Sequence, residues 1–460
     1  MTGLWLAQTA AERLAAAREG LDVPFLARLM GIVGMATMLG LAWLLSVERR
    51  RVNWRLVGMG VTLQTVVGLI VLKTGVGRAL FQGANTMFTQ LLGFTEQGAR
   101  FIFGNLVKNN VPVGLPGGTP PDMAPLGEPQ VWAATGAYFA FSVLPTIIFF
   151  SSLMSVLYHL GIMQWVVRGM AWGMQRSMKT SGAETLSAAG NIFVGQTESP
   201  LLIKPFVGQM TASELNTVMV GGFATIAGGV MAAYVGMLSP YFPDIAGHLL
   251  TASVMNAPAG LVISKMLVPE TGEPVTRGTL RLQIERRDAN VIDAAASGAA
   301  QGLQLALTVG GMLLAFIALI ALLNAAVGAV GGLLGSPALS LQQILGWALA
   351  PLAWLMGVPW ADADTVGSLI GVKTVVNEFV AYLDLAALLG SGAELSPRGA
   401  IIATYALLGF ANFSSIAIQI GGIGGLAPER RADLSRLGLR AMIGGNLAAF
   451  MSASLAGMLM

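Results

Sequence analysis

The 460-residue sequence contains no cysteine, which excludes a disulfide framework, a thiolate metal site and a cysteine nucleophile. It has two histidines, His159 and His248, far apart in the chain. That pattern indicates no histidine-rich metal site, and each reads as a packed or interfacial residue. Charge is scarce as well. Asp, Glu, Lys and Arg make up 11% of the chain against 55% hydrophobic residues, and the mean hydropathy is +0.70. Soluble domains carry about a quarter charged residues, so this is a polytopic membrane protein. The net charge of +3 offers no footprint for a nucleic-acid polymer. A membrane-embedded hydrolase using Ser199 or Ser414 is disfavoured: no histidine lies near either, and no G-x-S-x-G or metal-binding helix motif occurs. What the sequence has in quantity is glycine, 59 residues, suited to closely packed and interrupted transmembrane helices.

Taken in order, residues 3–19 predict a helix lying on the membrane surface, without the apolar core of a signal peptide. Spans follow at Arg28–Val47 and Trp54–Lys73, each near the ~20 residues needed to cross. Residues 76–105 are amphipathic, with Leu80, Ala84, Met87, Phe88, Leu91 and Leu92 on one helical face. Asn109–Gln130, with six prolines, is a loop. Further spans are expected at Val131–Leu160, Glu214–Leu238, His248–Met266, Asp293–Val330, Ala400–Gly425 and Leu437–Met460. Between Asp293–Val330 and Ala400–Gly425 lies Leu341–Trp360, apolar but broken by Pro351 and Pro359.

Basic residues set the orientation. Four loops carry Arg49, Arg50, Arg51 and Arg55; Arg168, Arg176 and Lys179; Lys265, Arg277, Arg281, Arg286 and Arg287; and Arg430, Arg431, Arg436 and Arg440. By the positive-inside rule these loops are cytoplasmic, so both termini are outside.

The chain is organised around GNIFVGQTESPLLIKPF at 190–206, which sets Asn191, Gln196, Thr197, Glu198 and Lys204 in otherwise apolar sequence. An ionisable group at bilayer depth costs about 2.5–3.5 kcal/mol on insertion scales, so it persists where it faces a cavity or a partner. Gly195 and Pro200 bracket this run, and irregular backbone at that depth survives only where protein buries it or it lines a cavity. The layout recurs in the second half. Glu198 in VGQTESP matches Glu378 in VVNEFVA, and each acid is followed by an interrupted span: FATIAGG at 223–229, FANFSS at 410–415. Paired interruptions in two halves point to a transporter's central site, and the intervening three spans make the repeat inverted. A hairpin transporter for an acidic or amino-acid substrate is the main alternative; two central carboxylates argue against an anion.

GNIFVGQTESPLLIKPF, GGFATIAGG, GVKTVVNEFVAYLDL and GFANFSSIAIQIGGIGG resemble the signature blocks of the concentrative nucleoside transporters. The resemblance covers roughly residues 28–460. It implies an all-α homotrimer in the lipid bilayer of the bacterial inner membrane, with eight spans and two re-entrant hairpins per protomer. It also implies an elevator-like motion of a transport domain against a scaffold. The expected division is 1–27, a surface segment; 28–160, scaffold spans 1–3 with the amphipathic helix; 161–268, transport half one. Residues 269–335 form a cytoplasmic loop and scaffold span 6, and 336–460 transport half two. By motif position, Gln196, Thr197 and Glu198 resemble the nucleobase-binding trio, with Val230 beside the base. Glu378, Asn412 and Ser415 resemble the ribose binders, with Phe410 near the sugar. Asn191, Val194, Thr225 and Ile226 match the sodium site. The resemblance thus implies import of uridine-like pyrimidine nucleosides, and of adenosine, by cation symport and no enzymatic activity. Gly229 stands where relatives often have a hydroxyl residue. Sodium is the expected coupling ion and a proton the alternative.

Overall fold

Seven helices among the described residues are long and apolar enough to cross a bilayer. The computed structural model describes residues 23–108, 139–278, 288–333, 339–392 and 395–460, with residues 12, 14, 335 and 336 and the backbone of 110–112 and 132–134. The surface helix expected over 3–19 lies almost wholly outside the described residues, as do Arg281, Arg286, Arg287 and most of the loop at 109–130.

Helices α1 (Phe25–Leu44) and α2 (Trp54–Lys73) are the first two spans, and α3 (Gly75–Phe103) is the expected amphipathic helix. The third span starts at Phe139 rather than Val131, and it continues as α4 (Leu144–His159). The reason is a short antiparallel ribbon, in which β1 (Asn110–Pro112) pairs with β2 (Trp132–Ala134). Then come α5 (Ile162–Met178) and a first helical hairpin, made of α6 (Gly182–Gly190), an irregular tip and short turns at Ser199–Ile203 and Lys204–Val207. The span after it is broken, as α7 (Ala212–Ala224) and α8 (Gly228–Leu238), and α9 (Ile245–Leu267) follows. A single 43-residue helix, α10 (Val291–Leu333), begins the second half, followed by α11 (Leu341–Leu355). Pro351 does not break α11, which continues through it and ends before Pro359. A second hairpin, α12 (Ala363–Val375) and α13 (Glu378–Ser391), precedes another broken helix, α14 (Pro397–Leu407) and α15 (Phe413–Leu426), and the last helix, α16 (Arg431–Leu459).

Burial sorts these elements into an inner bundle and an outer layer. Spans α7–α8, α9 and α16 are 83–89% buried, whereas those of α1, α2, α4 and α10 are only 11–28% buried. In the outer layer, α10 packs on α4 through Ala294, Gly298, Gly302 and Ala306, all buried and spaced four apart. A Cβ at Gly298 would lie 2.6 Å from the Ser155 Cβ, and one at Gly302 2.7 Å from the Ile148 Cα. Small residues at that spacing let two membrane helices approach backbone to backbone. The seam is therefore steric rather than hydrophobic in origin.

The inner bundle is fixed at one end by side-chain caps. Ser181 and Glu184 form a capping box on α6, and Thr211 and Glu214 form another on α7. Ser181 Oγ also donates to Glu214 Oε1 at 2.5 Å, so the two helix starts are tied together. Lys265 Nζ reaches Glu184 at 2.7 Å and Glu270 at 3.0 Å. Breaking a buried pair of this kind costs about 3–5 kcal/mol, because one charge is left unpaired. The cluster anchors the base of hairpin 1 and leaves its tip to be positioned by other contacts.

Candidate functional site

The two breaks at 225–227 and 408–412 lie side by side. Gly409 has φ of +110°, and a Cβ there would lie 2.4 Å from the Phe223 carbonyl oxygen, so only glycine fits this crossing. An asparagine from the next span braces each break. Asn256 Nδ2 on α9 donates to the Ala224 carbonyl at 2.6 Å, and Asn446 Nδ2 on α16 donates to the Ala411 carbonyl at 3.0 Å. When FAT is laid on FAN, Ala224 and Ala411 are equivalent. The repeat read from sequence thus reappears as a matched pair of hydrogen bonds. In both asparagines the Oδ1 is buried without a partner among the described residues.

In the second half, Asn377 caps α13 by accepting from the Val380 amide at 2.9 Å, which holds Glu378 in the first turn of the helix. A carboxylate is favoured at that end, where backbone amides point outward. Glu378 is buried; its Oε2 accepts from Asn412 Nδ2 at 2.7 Å and its Oε1 from the Tyr234 hydroxyl at 3.1 Å. Asn412 in turn caps α15, its Oδ1 accepting from the Ser415 amide at 2.9 Å. The Ser415 hydroxyl then accepts from Gln196 Nε2, on the tip of hairpin 1, at 3.2 Å. Gln196 Oε1 accepts from Gln419 Nε2 at 3.0 Å, which orients the Gln196 amide. One hydrogen-bonded chain therefore joins Gln196, Ser415, Asn412 and Glu378 across the two halves.

The other expected residues surround this chain without all joining it. Glu198 opens onto a cavity of about 280 Å³ bounded by Ser155 and Tyr158 of α4, Ser297 and Gln301 of α10, and Gly229. The Glu198 backbone amide donates to the Gly195 carbonyl at 3.1 Å, which fixes the turn at the hairpin tip. Thr197 is exposed, its methyl group lying where a Cβ on Gly422 would be 3.2 Å away. Val230 is buried beside Gly229, and Phe410 is half-buried at the second break. The cavity is wide enough for a small solute, and its walls come from the hairpin, α4 and α10.

Asn191, Val194, Thr225 and Ile226 are all buried, the first two on the tip of hairpin 1 and the others at the first break. The Gly228 amide donates to the Phe193 carbonyl at 2.9 Å, and the Gly195 Cβ position lies 3.2 Å from the Ala227 Cβ. Thr225 Oγ1 donates to the Gly221 carbonyl at 2.8 Å, which leaves its lone pairs free to accept or coordinate. Neither polar atom of the Asn191 side chain has a partner among the described residues, although the residue is fully buried. An orphaned amide in a native core calls for an explanation such as an ion or a water. This donor set, all oxygen and with no fixed charge, fits a sodium ion.

Residues 33–106 match the family profile described as the N-terminus of Na+ dependent nucleoside transporters, and 248–457 match the profile of their C-terminus. Residues 140–241 match a profile described as nucleoside recognition. The chain belongs to the concentrative nucleoside transporter family. It is 44% identical over 431 residues to the uncharacterized transporter YutK of Bacillus subtilis, covering 94% of this chain and 99% of that one. Sodium/nucleoside cotransporter 1 of Mus musculus is 41% identical over 445 residues, 94% of this chain and 64% of the mouse protein. The inward-facing, substrate-bound structure of CNTnw superimposes with a TM-score of 0.83 at 43% identity, over 94% of this chain and 98% of that one.

Against this family background, the structure adds residues that sequence reasoning missed. Tyr234, Gln419, Asn256 and Asn446 all reach the site or its backbone from within regular helices. Each has a glycine or proline close by (Gly236, Gly421, Pro258 and Gly445), but such residues recur along these helices and do not mark them out from packing positions. The one available signal was the repeat itself, since Asn256 and Asn446 follow their respective breaks by similar intervals.

Proposed function

We propose that this member of the concentrative nucleoside transporters imports uridine-like pyrimidine nucleosides, and adenosine, by sodium symport. The observation that carries the reading is the chain Gln196–Ser415–Asn412–Glu378, which puts amide, hydroxyl and carboxylate groups from both halves in one connected site. Glu378 and Asn412 offer paired acceptor and donor atoms suited to the vicinal hydroxyls of ribose. Gln196, with Thr197 and Glu198 on the same tip and Val230 beside it, offers the mixed donors and acceptors of a base edge. Phe410 is placed at the sugar side. Asn191, Val194, Thr225 and Ile226 would hold the sodium ion at the junction between hairpin 1 and the first break.

In this reading the chain has eight spans, α14–α15 being the one too broken to register as a long helix, and both hairpins are re-entrant. Arg28 donates to the Met460 carbonyl at 3.4 Å, so α1 begins where α16 ends, in keeping with both ends on one side of the bacterial inner membrane. The transport unit comprises residues 161–268 and 336–460, and α4 and α10 form the scaffold of a homotrimer. We place α1 and α2 with the transport unit, although sequence order put them in the scaffold. Gln64 of α2 donates to Ser452 of α16 at 2.9 Å, and a Cβ on Gly34 of α1 would lie 2.6 Å from the Ser454 Oγ.

The test is uridine uptake into proteoliposomes under an imposed sodium gradient, with competitors. Cytidine and adenosine should compete, while free ribose and free uracil compete poorly. Full uptake without sodium, driven by an acid-outside gradient, would reject sodium coupling. Equal competition by uracil would reject the ribose assignment.

A further inference from the structure

Lys373, on α12 of hairpin 2, is fully buried, and its ammonium has no carboxylate of the described residues within ion-pair distance. Its partners are main-chain oxygens at the second break: the Ala406 carbonyl at 2.9 Å and the Leu408 carbonyl at 3.4 Å. The ring of Phe450 lies 5.6 Å away on another side. Carbonyls released where a span unwinds, at the negative end of a half-helix, are the ligands that transporters offer to a dissolved cation. Here a covalently attached cation occupies them. Glu378 lies five residues along the same hairpin.

The first half differs at the corresponding junction. Residues 190–203 contain no lysine or arginine, and the junction of hairpin 1 with the first break has instead the orphaned amide of Asn191. Carbonyls at the end of each half-helix meet a polar side chain: that of Ala224 on α7 accepts from Asn256, and that of Ala406 on α14 from Lys373. A buried lysine with only carbonyl partners is expensive to retain, so it persists for a charge that the site needs.

We infer that Lys373 is a tethered counterpart of the transported cation: its ammonium brings to the second break the positive charge that sodium brings to the first. This rests on the sodium-symport reading above and extends it. The lysine thereby makes the second half independent of the external cation, and it limits coupling to a single ion.

The experiment is calorimetric uridine binding across a sodium titration, on the wild type and two variants whose folding is checked by size-exclusion profile. Wild-type binding should depend on sodium with a Hill slope of about one. Lys373→Ala empties the carbonyl cradle, so a second sodium should enter and raise the slope to about two, and added ethylammonium should return it to about one. Lys373→Met fills the space without charge and should weaken uridine binding roughly tenfold or more at every sodium concentration. Wild-type affinity and an unchanged slope in both variants would overturn the inference, as would a folded Lys373→Ala that neither sodium nor ethylammonium rescues. Should the variants not fold, the wild type decides: a charge-to-uridine ratio of about two in proteoliposomes would overturn it and about one would support it. Sodium-independent binding by the wild type is a different result and would sink the symport reading itself.

Discussion

At the scale of single residues, Glu378 is the most informative position. Both of its oxygens are engaged, by Tyr234 and Asn412, and the residue is buried. Glu378→Gln keeps the shape and one acceptor but replaces charge-assisted hydrogen bonds, worth about 1.5–3 kcal/mol, with neutral ones worth about 0.5–1.5. Since ~1.4 kcal/mol is tenfold in affinity, uridine binding should weaken roughly tenfold or more. The loss should shrink for 2′,3′-dideoxyuridine, which lacks the hydroxyls, and calorimetry on the two ligands measures the difference. An equal loss would mean that this acid does not hold the sugar. Glu378 and Gln196 were legible in the sequence because polar residues in an apolar block have few structural uses, whereas Asn412 and Ser415 were named through the family resemblance. Tyr234 was not legible, because a tyrosine inside an apolar span reads as packing until its hydroxyl is seen to meet a carboxylate. Lys373 was quoted within a motif and given no role, since its partners are backbone atoms more than 30 residues away.

Among the elements, the seam between α4 and α10 is the part of the outer layer that sequence most directly determines. Gly302 meets the backbone of α4 with no room for a side chain. Gly302→Leu should force the helices apart and cost about 1–3 kcal/mol by overpacking, lowering the thermal midpoint in detergent. Gly311→Ala, on the same helix but with open space at its Cβ position, should be neutral or gain about 0.5–1 kcal/mol, because alanine suits a helix interior better. A similar loss in both would indicate that helix propensity, not the seam, governs α10. The bounds of α2 and the two breaks were legible, the former from an uninterrupted apolar run between basic residues, the latter from FAT and FAN. The start of the third span was not. Three-residue strands carry no periodicity, so Trp132–Ala134 looked like the apolar beginning of the helix that follows. Pro351 misled in the opposite direction, because a proline removes one hydrogen bond and packing on both sides of it keeps α11 together.

For the whole molecule, the absence of cysteine that opened the sequence reading becomes an experimental advantage, since any introduced pair is the only one present. In the elevator reading α8 travels with hairpin 1 while α4 stays in the scaffold, so a covalent link between them should stop transport. The Cβ position of Gly229 on α8 lies 3.8 Å from the Phe150 Cβ on α4. That separation is within the roughly 3.5–4.5 Å a disulfide spans. Oxidised Gly229→Cys/Phe150→Cys should therefore lose uridine uptake, and reductant should restore it to the level of the unoxidised double variant. The control pair lies inside the moving unit: the Cβ position of Gly438 on α16 is 3.9 Å from the Ile416 Cβ on α15. Oxidised Gly438→Cys/Ile416→Cys should keep transporting, because the two helices travel together. Uptake that survives the α4–α8 link would show that solute crosses without relative motion of these elements, and a gate formed by the hairpins alone would take the elevator's place. Loss of uptake in both pairs would instead mean that the inner bundle itself must flex, with the two breaks at 225–227 and 408–412 as the places where it can.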